Sequence, residues 1–480
     1  MRSAIGAGPV VVFSSPYFIF LFLPVALAVV LGLRRLAFLP AIFLASVVFY
    51  FWSAGPRAAL LVGIIVVNYV GALLLRRAGA RLVLPVFIGL NLLVLFWFKY
   101  AHFVGENLDL LLGTGLGAMT AKITLPAGVS FFVFQAISYL MDVRRGEIGA
   151  ETSFFRYAAY QSFFPHLIAG PIVRFRDVIG DFIRPRLGVD TFSAGISRFA
   201  HGLLKKVVIA DNVAPIADAV FSLPAGEAGF ASAWIGAAAY ALQIYFDFSG
   251  YSDMAIGLAM MFGIRFTENF HRPYASRSIT EFWRRWHVTL SSWFRDYLYV
   301  PLGGNRGGPI ATYRNLLIVF VATGLWHGAG WTFLCWGLFH GLFLVLERLL
   351  VGAPLRHLTA GALRYLYCLP VVLFGWVLFR ADGLGRAVDL WSAMLQPFAL
   401  ESLVQLSERT AATPYSLAAM ACGALIFILP GETSFGLRLM QQAERRGRPA
   451  LDLAYAVGAL ALSGILVITG NYSPFLYFQF

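Results

Sequence analysis

The sequence predicts an all-α polytopic membrane protein, and three observations carry that prediction. Of its 480 residues, 59% are hydrophobic and only 13% are charged, whereas a soluble domain carries about 25% charged residues. Apolar runs of seventeen or more residues recur, each about long enough to cross a ~30 Å hydrocarbon core as a helix. Basic residues gather at the ends of those runs rather than in a module of their own. The mean hydropathy of +0.74 agrees. The chain reads as one membrane domain over residues 1–480, with roughly 11–13 membrane-embedded helices, some re-entrant or broken.

Residues 16–33, 36–52, 58–75 and 82–98 are conventional apolar helices, which makes residues 1–100 an N-terminal scaffold. The first run is too long for a secretory leader, and Ala26-Leu27-Ala28 lies inside it, so it reads as an uncleaved span. Arg34 and Arg35 come after the first run, Arg76, Arg77 and Arg81 after the third, and Arg144 and Arg145 after the fifth, residues 125–141. By the positive-inside rule these loops are cytoplasmic and the N-terminus is periplasmic.

Residues 157–173 are apolar enough to enter the bilayer. Arg144, Arg145 and Arg156 precede them, however, and Arg174, Arg176, Arg184 and Arg186 come after. Pro165-His166 and Gly170-Pro171 break the helix between. The segment is therefore predicted to be re-entrant, and backbone at that depth is tolerated only against protein or a water-filled cavity. Residues 265–314 interleave aromatic and basic side chains without a full span. On a helix, Phe282, Trp286, Thr289 and Trp293 share one broad face, while Arg284, Arg285 and Arg295 reach water or headgroups. This suits interfacial helices on the cytoplasmic side. Residues 125–345 thus form a core interrupted by Pro, Gly, His and Asp. Residues 346–480 return to conventional helices and end in an aromatic tail, 472–480.

The formal net charge of +13 reflects this punctuation. No compact basic module offers itself to nucleic acid, and part of the excess suits membrane lipids with anionic headgroups. The glycine run at 303–308 is a flexible turn. It lacks the strand before it and the Gly-Lys-Ser/Thr after it that a phosphate-binding loop needs. Cys335, Cys368 and Cys422 sit singly in apolar stretches and read as packing residues. Cys335, eight residues after His327, could share part of its helix face. No HExxH or comparable spacing supports a metal site.

Ionisable groups at membrane depth are costly and are usually functional or paired. His327 stands in Thr323-Gly324-Leu325-Trp326-His327-Gly328-Ala329-Gly330-Trp331, where glycines permit close approach of a backbone or ligand. A buried histidine is more often structural than catalytic, and on chemistry alone both readings stand. In Tyr245-Phe246-Asp247-Phe248-Ser249-Gly250-Tyr251-Ser252-Asp253, two carboxylates straddle a Ser-Gly pair able to bend or break a helix. They could line a hydrophilic passage or orient a histidine, or Ser252 or Asp253 could cap a helix restarting after Gly250. His287, among aromatics and arginines, and His166, in the re-entrant segment, each divide between packing and function. His102, His201, His271, His340 and His357 are read as structural or surface residues. His340, thirteen residues after His327, is predicted to point to another helix face.

Taken together, these stretches resemble the membrane-bound O-acyltransferase (MBOAT) family, and most of all its bacterial alginate O-acetylation branch. The resemblance rests on Phe164-Pro165-His166-Leu167-Ile168-Ala169-Gly170-Pro171, the 245–253 string and Glu268-Asn269-Phe270. It also rests on the stretch 283–304 beginning Trp283-Arg284-Arg285-Trp286-His287, on Leu325-Trp326-His327-Gly328, and on the tail 475–480. It covers essentially the whole chain and is densest from about 125 to 345.

The resemblance implies many helices around a central funnel and tunnel. It matches His327 to the family's invariant histidine and His287 to the second histidine of this branch, both catalytic. Trp326, Asp247, Tyr251, Asp253, His166, Asn269 and Arg285 are expected to line the substrate passage. No bound cofactor or metal is expected. The acetyl donor would be acetyl-CoA or an acyl-carrier thioester in the cytoplasm, drawn to the basic 265–314 surface. His327 could act as general base on the acceptor hydroxyl. The acetyl group would pass to periplasmic acetyltransferase partners and on to an exopolysaccharide, from a chain in the bacterial inner membrane. Peptidoglycan or cellulose acetylation, D-alanylation of teichoic acid, and an acyl-group transporter are the competing readings.

Overall fold

The computed structural model describes residues 12–77, 81–350, 363–397, 401–428, 449–469 and 475–476. His357 and positions 472–474 and 477–480 of the aromatic tail lie outside them. Among the described residues every regular element is a helix. By length and composition, Phe38–Leu75, Val83–Leu112, Gly308–His327 and Trp331–Leu350 could each cross a membrane, and four shorter apolar helices accompany them. The chain divides into two compact units. One holds residues 1–199, 252–267 and 470–478, and the other holds 200–251, 268–469 and 479–480.

The first unit opens with α1 (Leu23–Gly32), α2 (Phe38–Ala54), α3 (Ala58–Leu75) and α4 (Val83–Leu95). A π turn, Phe96–Tyr100, joins α4 to α5 (Ala101–Leu112). Few residues of the Val83–Leu112 run are buried, so most of its leucine and aromatic surface is left for lipid. Asn68 and Asn91 exchange side-chain hydrogen bonds of 3.1 and 2.7 Å between α3 and α4. Each amide also donates to a carbonyl on its own helix. Two buried amides thereby satisfy each other where no water would serve them.

The short α6 (Leu116–Thr120) leads to α7 (Val129–Arg145), which is buried almost throughout its first three turns. The predicted re-entrant segment is indeed broken, into α8 (Phe154–Ser162), an extended Phe163, α9 (Phe164–Leu167) and an irregular stretch to Arg174. Buried side chains take up the backbone groups that this break frees. The Ser46 hydroxyl accepts from Phe164 N at 3.1 Å, and the Tyr160 hydroxyl donates to Val173 O at 2.9 Å. Gln161 reaches across to Phe132 O at 2.7 Å. These partners are what allow irregular backbone in an apolar setting. Two more helices, α10 (Phe175–Ile183) and α11 (Val189–Leu204), come next.

The second unit takes up the chain at residue 200, within α11, and continues through a π turn, Lys205–Ala210, and α12 (Asp211–Phe221) to α13 (Phe230–Met261). The 32 residues of α13 contribute to both units. The expectation that Ser249-Gly250 breaks this helix is corrected here, and with it the capping role for Ser252 or Asp253. A Cβ at Gly250 would lie 2.7 Å from Gly202 O, so the glycine lets α13 press against its neighbour rather than ending it.

Short helices α14 (Ile279–Arg285) and α15 (Val288–Phe294) precede α16 (Gly308–His327) and α17 (Trp331–Leu350). The last two form a close hairpin. A Cβ at Gly324 would lie 2.3 Å from Phe333 O, and one at Gly337 would lie 2.2 Å from Phe320 O. This hairpin corrects two expected helix faces. His327 ends α16, whereas Cys335 and His340 sit on α17, so helical spacing across the break predicts nothing. The single helical face drawn through Phe282, Trp286, Thr289 and Trp293 is likewise divided, because Trp286 and His287 separate α14 from α15. All four side chains are buried nonetheless.

Candidate active site

The second unit brings His287, His327, Trp326 and Asn269 together, and it does so through short irregular backbone. Residues 269–271 run beside 285–288. Val288 N donates to Asn269 O at 3.0 Å, and His271 N donates to Arg285 O at 2.9 Å. His287 sits in this pairing with φ +43° and ψ +55°, a left-handed conformation uncommon outside glycine. Strain of this kind is held only where surrounding contacts impose it. Here they are the Asn269 backbone and side chain, with the Phe248 ring edge-on to the imidazole at 4.7 Å.

Helix α14, which leads into His287, is anchored at its start by a carboxylate from α17. Glu347 accepts from Ile279 N, Thr280 N and the Thr280 hydroxyl at 2.5, 2.9 and 2.6 Å. The Tyr367 hydroxyl donates to it at 3.0 Å. A buried acceptor on the first amides satisfies donors that a helix leaves open. Ser278 caps the same end by accepting from Glu281 N.

His287 and His327 meet on one indole. The Trp326 ring centroid lies 5.9 Å from that of His287 and 4.9 Å from that of His327. Both imidazoles are buried, His287 fully and His327 to 3% exposure. Trp336 and Phe379 complete the surround of His327 at 5.0 and 5.1 Å. His287 lies outside the candidate spans, and burial pushes its imidazole down to about 3. Desolvation disfavours the imidazolium, so at physiological pH the ring is neutral, with one nitrogen protonated and one bearing a lone pair. Its Nδ1 is 3.0 Å from Asn269 Oδ1, while Nε2 is buried with no hydrogen-bond partner among the described residues.

Several residues that sequence reasoning did not single out join this cluster. Trp336 also touches His340 at 5.2 Å and stacks on Trp376 at 6.2 Å, and Trp283 lies 5.5 Å from Trp336. His340 is buried. Gly375 makes room for it, since a Cβ there would lie 2.6 Å from its Nε2. The indole N–H groups of Trp283, Trp336 and Trp376 and both His340 nitrogens are buried without partners among the described residues. Such groups are normally satisfied by protein, water or a ligand. An indole N–H can only donate, so the three indoles favour an occupant rich in acceptors. The signal was present as tryptophans and a histidine recurring in apolar stretches, but only the α16–α17 turn brings Trp336 onto His327.

The remaining predicted residues divide between the two units. Asp247 receives Lys206 Nζ at 2.6 Å, and the same ammonium reaches Asp211 at 2.7 Å. Lys206 stands on the π turn, a backbone irregularity frequent at functional sites. Tyr251 is buried one helical turn beyond Asp247. Arg285 turns to Glu281 at 2.7 Å and is partly exposed. Asp253 and His166 belong to the first unit. Asp253 holds Arg198 Nε at 2.9 Å, with both side chains buried. His166 Nε2 donates to Tyr160 O at 2.8 Å, and its ring stacks on Phe266 at 5.2 Å. Arg198 and Lys206 were legible as the cations two buried carboxylates require, but nothing in the sequence paired them. An apolar groove of about 650 Å³ runs along one stripe of α16 from Ile310 to Leu325; neither His287 nor His327 lines it.

Residues 83–384 match MBOAT, the membrane-bound O-acyltransferase family. The chain belongs to that family. This membrane-bound O-acyltransferase is 41% identical to a probable alginate O-acetylase of Azotobacter vinelandii, over 98% of its own length and all of the relative's. It is 39% identical to a peptidoglycan O-acetyltransferase of Helicobacter pylori, over 80% of each chain. A teichoic acid D-alanyltransferase of Bacillus subtilis is 27% identical over 45% of this chain and 57% of its own. The matched span takes in both histidines, Asn269 and the tryptophan cluster. Family membership makes the chain an O-acyltransferase and a multi-pass membrane protein.

Proposed function

We propose that this membrane-bound O-acyltransferase moves an acetyl group from a cytoplasmic thioester donor to a periplasmic acceptor or partner, for O-acetylation of an exopolysaccharide of the alginate type. The observation that carries the chemistry is the convergence of the buried His287 and His327 on Trp326 in an aromatic setting. Near-full-length similarity to a probable alginate O-acetylase supports the choice of polymer. A peptidoglycan acceptor is the second reading, favoured by the 39% identical Helicobacter relative.

In this reading the acceptor hydroxyl loses its proton to an imidazole as its oxygen attacks the thioester carbonyl carbon. The tetrahedral oxyanion collapses, the C–S bond breaks, and the thiolate leaves with that proton. His287 and His327 are the two imidazoles in reach of one indole. Buried indole N–H groups nearby are the donors suited to the developing oxyanion. The donor is acetyl-CoA or an acyl-carrier thioester, and the basic 265–314 stretch suits its phosphates. Arg34, Arg35, Arg76, Arg77, Arg144 and Arg145 favour an inner-membrane chain with a periplasmic N-terminus. In this reading the transfer is completed by periplasmic acetyltransferase partners.

The test is the acetyl content of secreted polysaccharide from a deletion strain complemented with wild type, His327→Ala or His287→Ala, at matched membrane levels. Either variant should secrete unacetylated polymer. Wild-type acetylation by both would remove the histidines from the chemistry and the proposal with them.

A further inference from the structure

Asn269 stands where it can decide which nitrogen of His287 carries the proton. Its Oδ1 is 3.0 Å from His287 Nδ1, 2.8 Å from the Thr289 hydroxyl and 3.3 Å from Thr289 N. An asparagine amide can be turned either way by its neighbours, and a hydroxyl can donate or accept. The Thr289 backbone N–H can only donate, however. It requires an acceptor opposite, and so fixes the oxygen of Asn269 toward this corner. The nitrogen of His287 that faces the same oxygen must then be the donor.

The rest of the geometry enforces that arrangement. Val288 N donates to Asn269 O at 3.0 Å, which ties the two backbones together on either side of the imidazole. The left-handed backbone at His287 and the Phe248 ring against its face leave the imidazole little freedom to turn over. With the proton on Nδ1, Nε2 presents a lone pair. That atom is buried and without a partner among the described residues.

We infer that Asn269 is a positioning residue that holds His287 in the Nδ1–H tautomer, so that Nε2 is the atom that receives the proton of the acyl acceptor's hydroxyl. This rests on the acyl-transfer reading above and deepens it. In its neutral form His287 can then accept a hydrogen bond but cannot donate one from Nε2 to a thioester carbonyl oxygen. The hydroxyl O–H bond breaks toward Nε2, the new C–O bond forms, and the imidazolium returns the proton to the departing thiolate sulfur. No other co-reactant is needed. In this assignment Asn269 acts through the imidazole.

The tautomer can be read without any acyl donor. The full chain, labelled with 15N-histidine and purified in lipid nanodiscs, would be examined by NMR, with His287 assigned from the signal lost in His287→Gln. Nitrogen shifts separate a protonated from a bare ring nitrogen. Wild type should show Nδ1 protonated and Nε2 bare. Asn269→Leu should lose that preference and acetylate secreted polymer at least about tenfold less than wild type at matched membrane levels. Asn269→Asp keeps an acceptor oxygen and should keep both the tautomer and most of the activity. A wild-type His287 protonated at Nε2 overturns the inference, whatever the variants do. So does Asn269→Leu with both tautomer and acetylation unchanged. If wild type shows the expected tautomer but His287→Gln acetylates normally, the proton-transfer role is overturned while the Asn269 contact stands. That outcome separates failure of the His287 proton-transfer role from failure of the tautomer assignment, whereas failure of the acyl-transfer reading itself would show as wild-type acetylation by both His287→Ala and His327→Ala.

Discussion

Replacing Glu347 with glutamine tests whether the path to His287 starts at a carboxylate on a different helix. Oε1 of Glu347 takes Ile279 N and the Tyr367 hydroxyl, and Oε2 takes Thr280 N and the Thr280 hydroxyl. In Glu347→Gln one of those oxygens becomes an NH2 group. Whichever way the amide turns, one backbone N–H faces a donor instead of an acceptor, one hydroxyl must turn round to accept, and two hydrogen bonds to a carboxylate are lost. Each contributes roughly 1.5–3 kcal/mol, so the expected destabilisation is about 3 kcal/mol or more. For a unit of this size that lowers the melting temperature by on the order of 6 °C.

The same change frees the first turn of α14, and α14 carries Trp283 and leads directly to His287. Acetylation should therefore fall in the variant protein that remains folded at growth temperature. The assay is thermal unfolding of the purified protein in detergent, monitored by fluorescence-detected size exclusion, together with polymer acetylation at matched membrane levels. Glu347→Asp, with the carboxylate kept one methylene short, should be intermediate. A Glu347→Gln protein that melts within a degree of wild type and acetylates normally would refute the anchoring role.

Two further charged sites can be tested in the same way. Lys206→Met leaves Asp247, 1% exposed, without its cation. It should destabilise the protein by about 3–5 kcal/mol, and Lys206→Met with Asp247→Asn should recover much of that loss in the same melting assay. Near the start of α13, Glu401 accepts from Ser232 N and from Arg409, each at 2.8 Å. Burial pushes its carboxyl up, but the hydrogen bonds from Ser232 and Arg409 outweigh this and hold it below the ordinary carboxylate range. A depressed folded value means that the stability it contributes is complete at neutral pH. That contribution fades as pH falls through the ordinary carboxylate range and is gone below the folded value. The melting difference between wild type and Glu401→Gln should accordingly shrink on going from pH 7 to pH 3, and a constant difference would refute the linkage.

Much of the site was legible in single residues and little of it in their arrangement. His327 and Trp326 drew notice because an ionisable group in a glycine-flanked apolar run needs a reason. Asp247 and Asp253 drew notice on the same ground, yet their partners Lys206 and Arg198 come from helices upstream, at separations that no periodicity encodes. Ser249-Gly250 shows the opposite failure. Glycine read locally is a helix breaker, but here a neighbouring backbone at Gly202 uses its missing Cβ.

The sequence by itself determined the class of fold, the membrane setting, the broken segment at 157–173 and the family. Each depends on composition, on runs measured against a fixed bilayer thickness, or on residues whose local backbone preferences do not wait for a partner. Only the tertiary structure decided that His287 and His327, forty positions apart, share one indole. It alone placed His340 in the same aromatic cluster and set Asn269 against the Nδ1 of His287. The reason is physical. These are contacts made across chain breaks, at the left-handed His287 and at the α16–α17 turn. Helical periodicity, the only long-range ruler a sequence offers in an all-α chain, is reset at each of them.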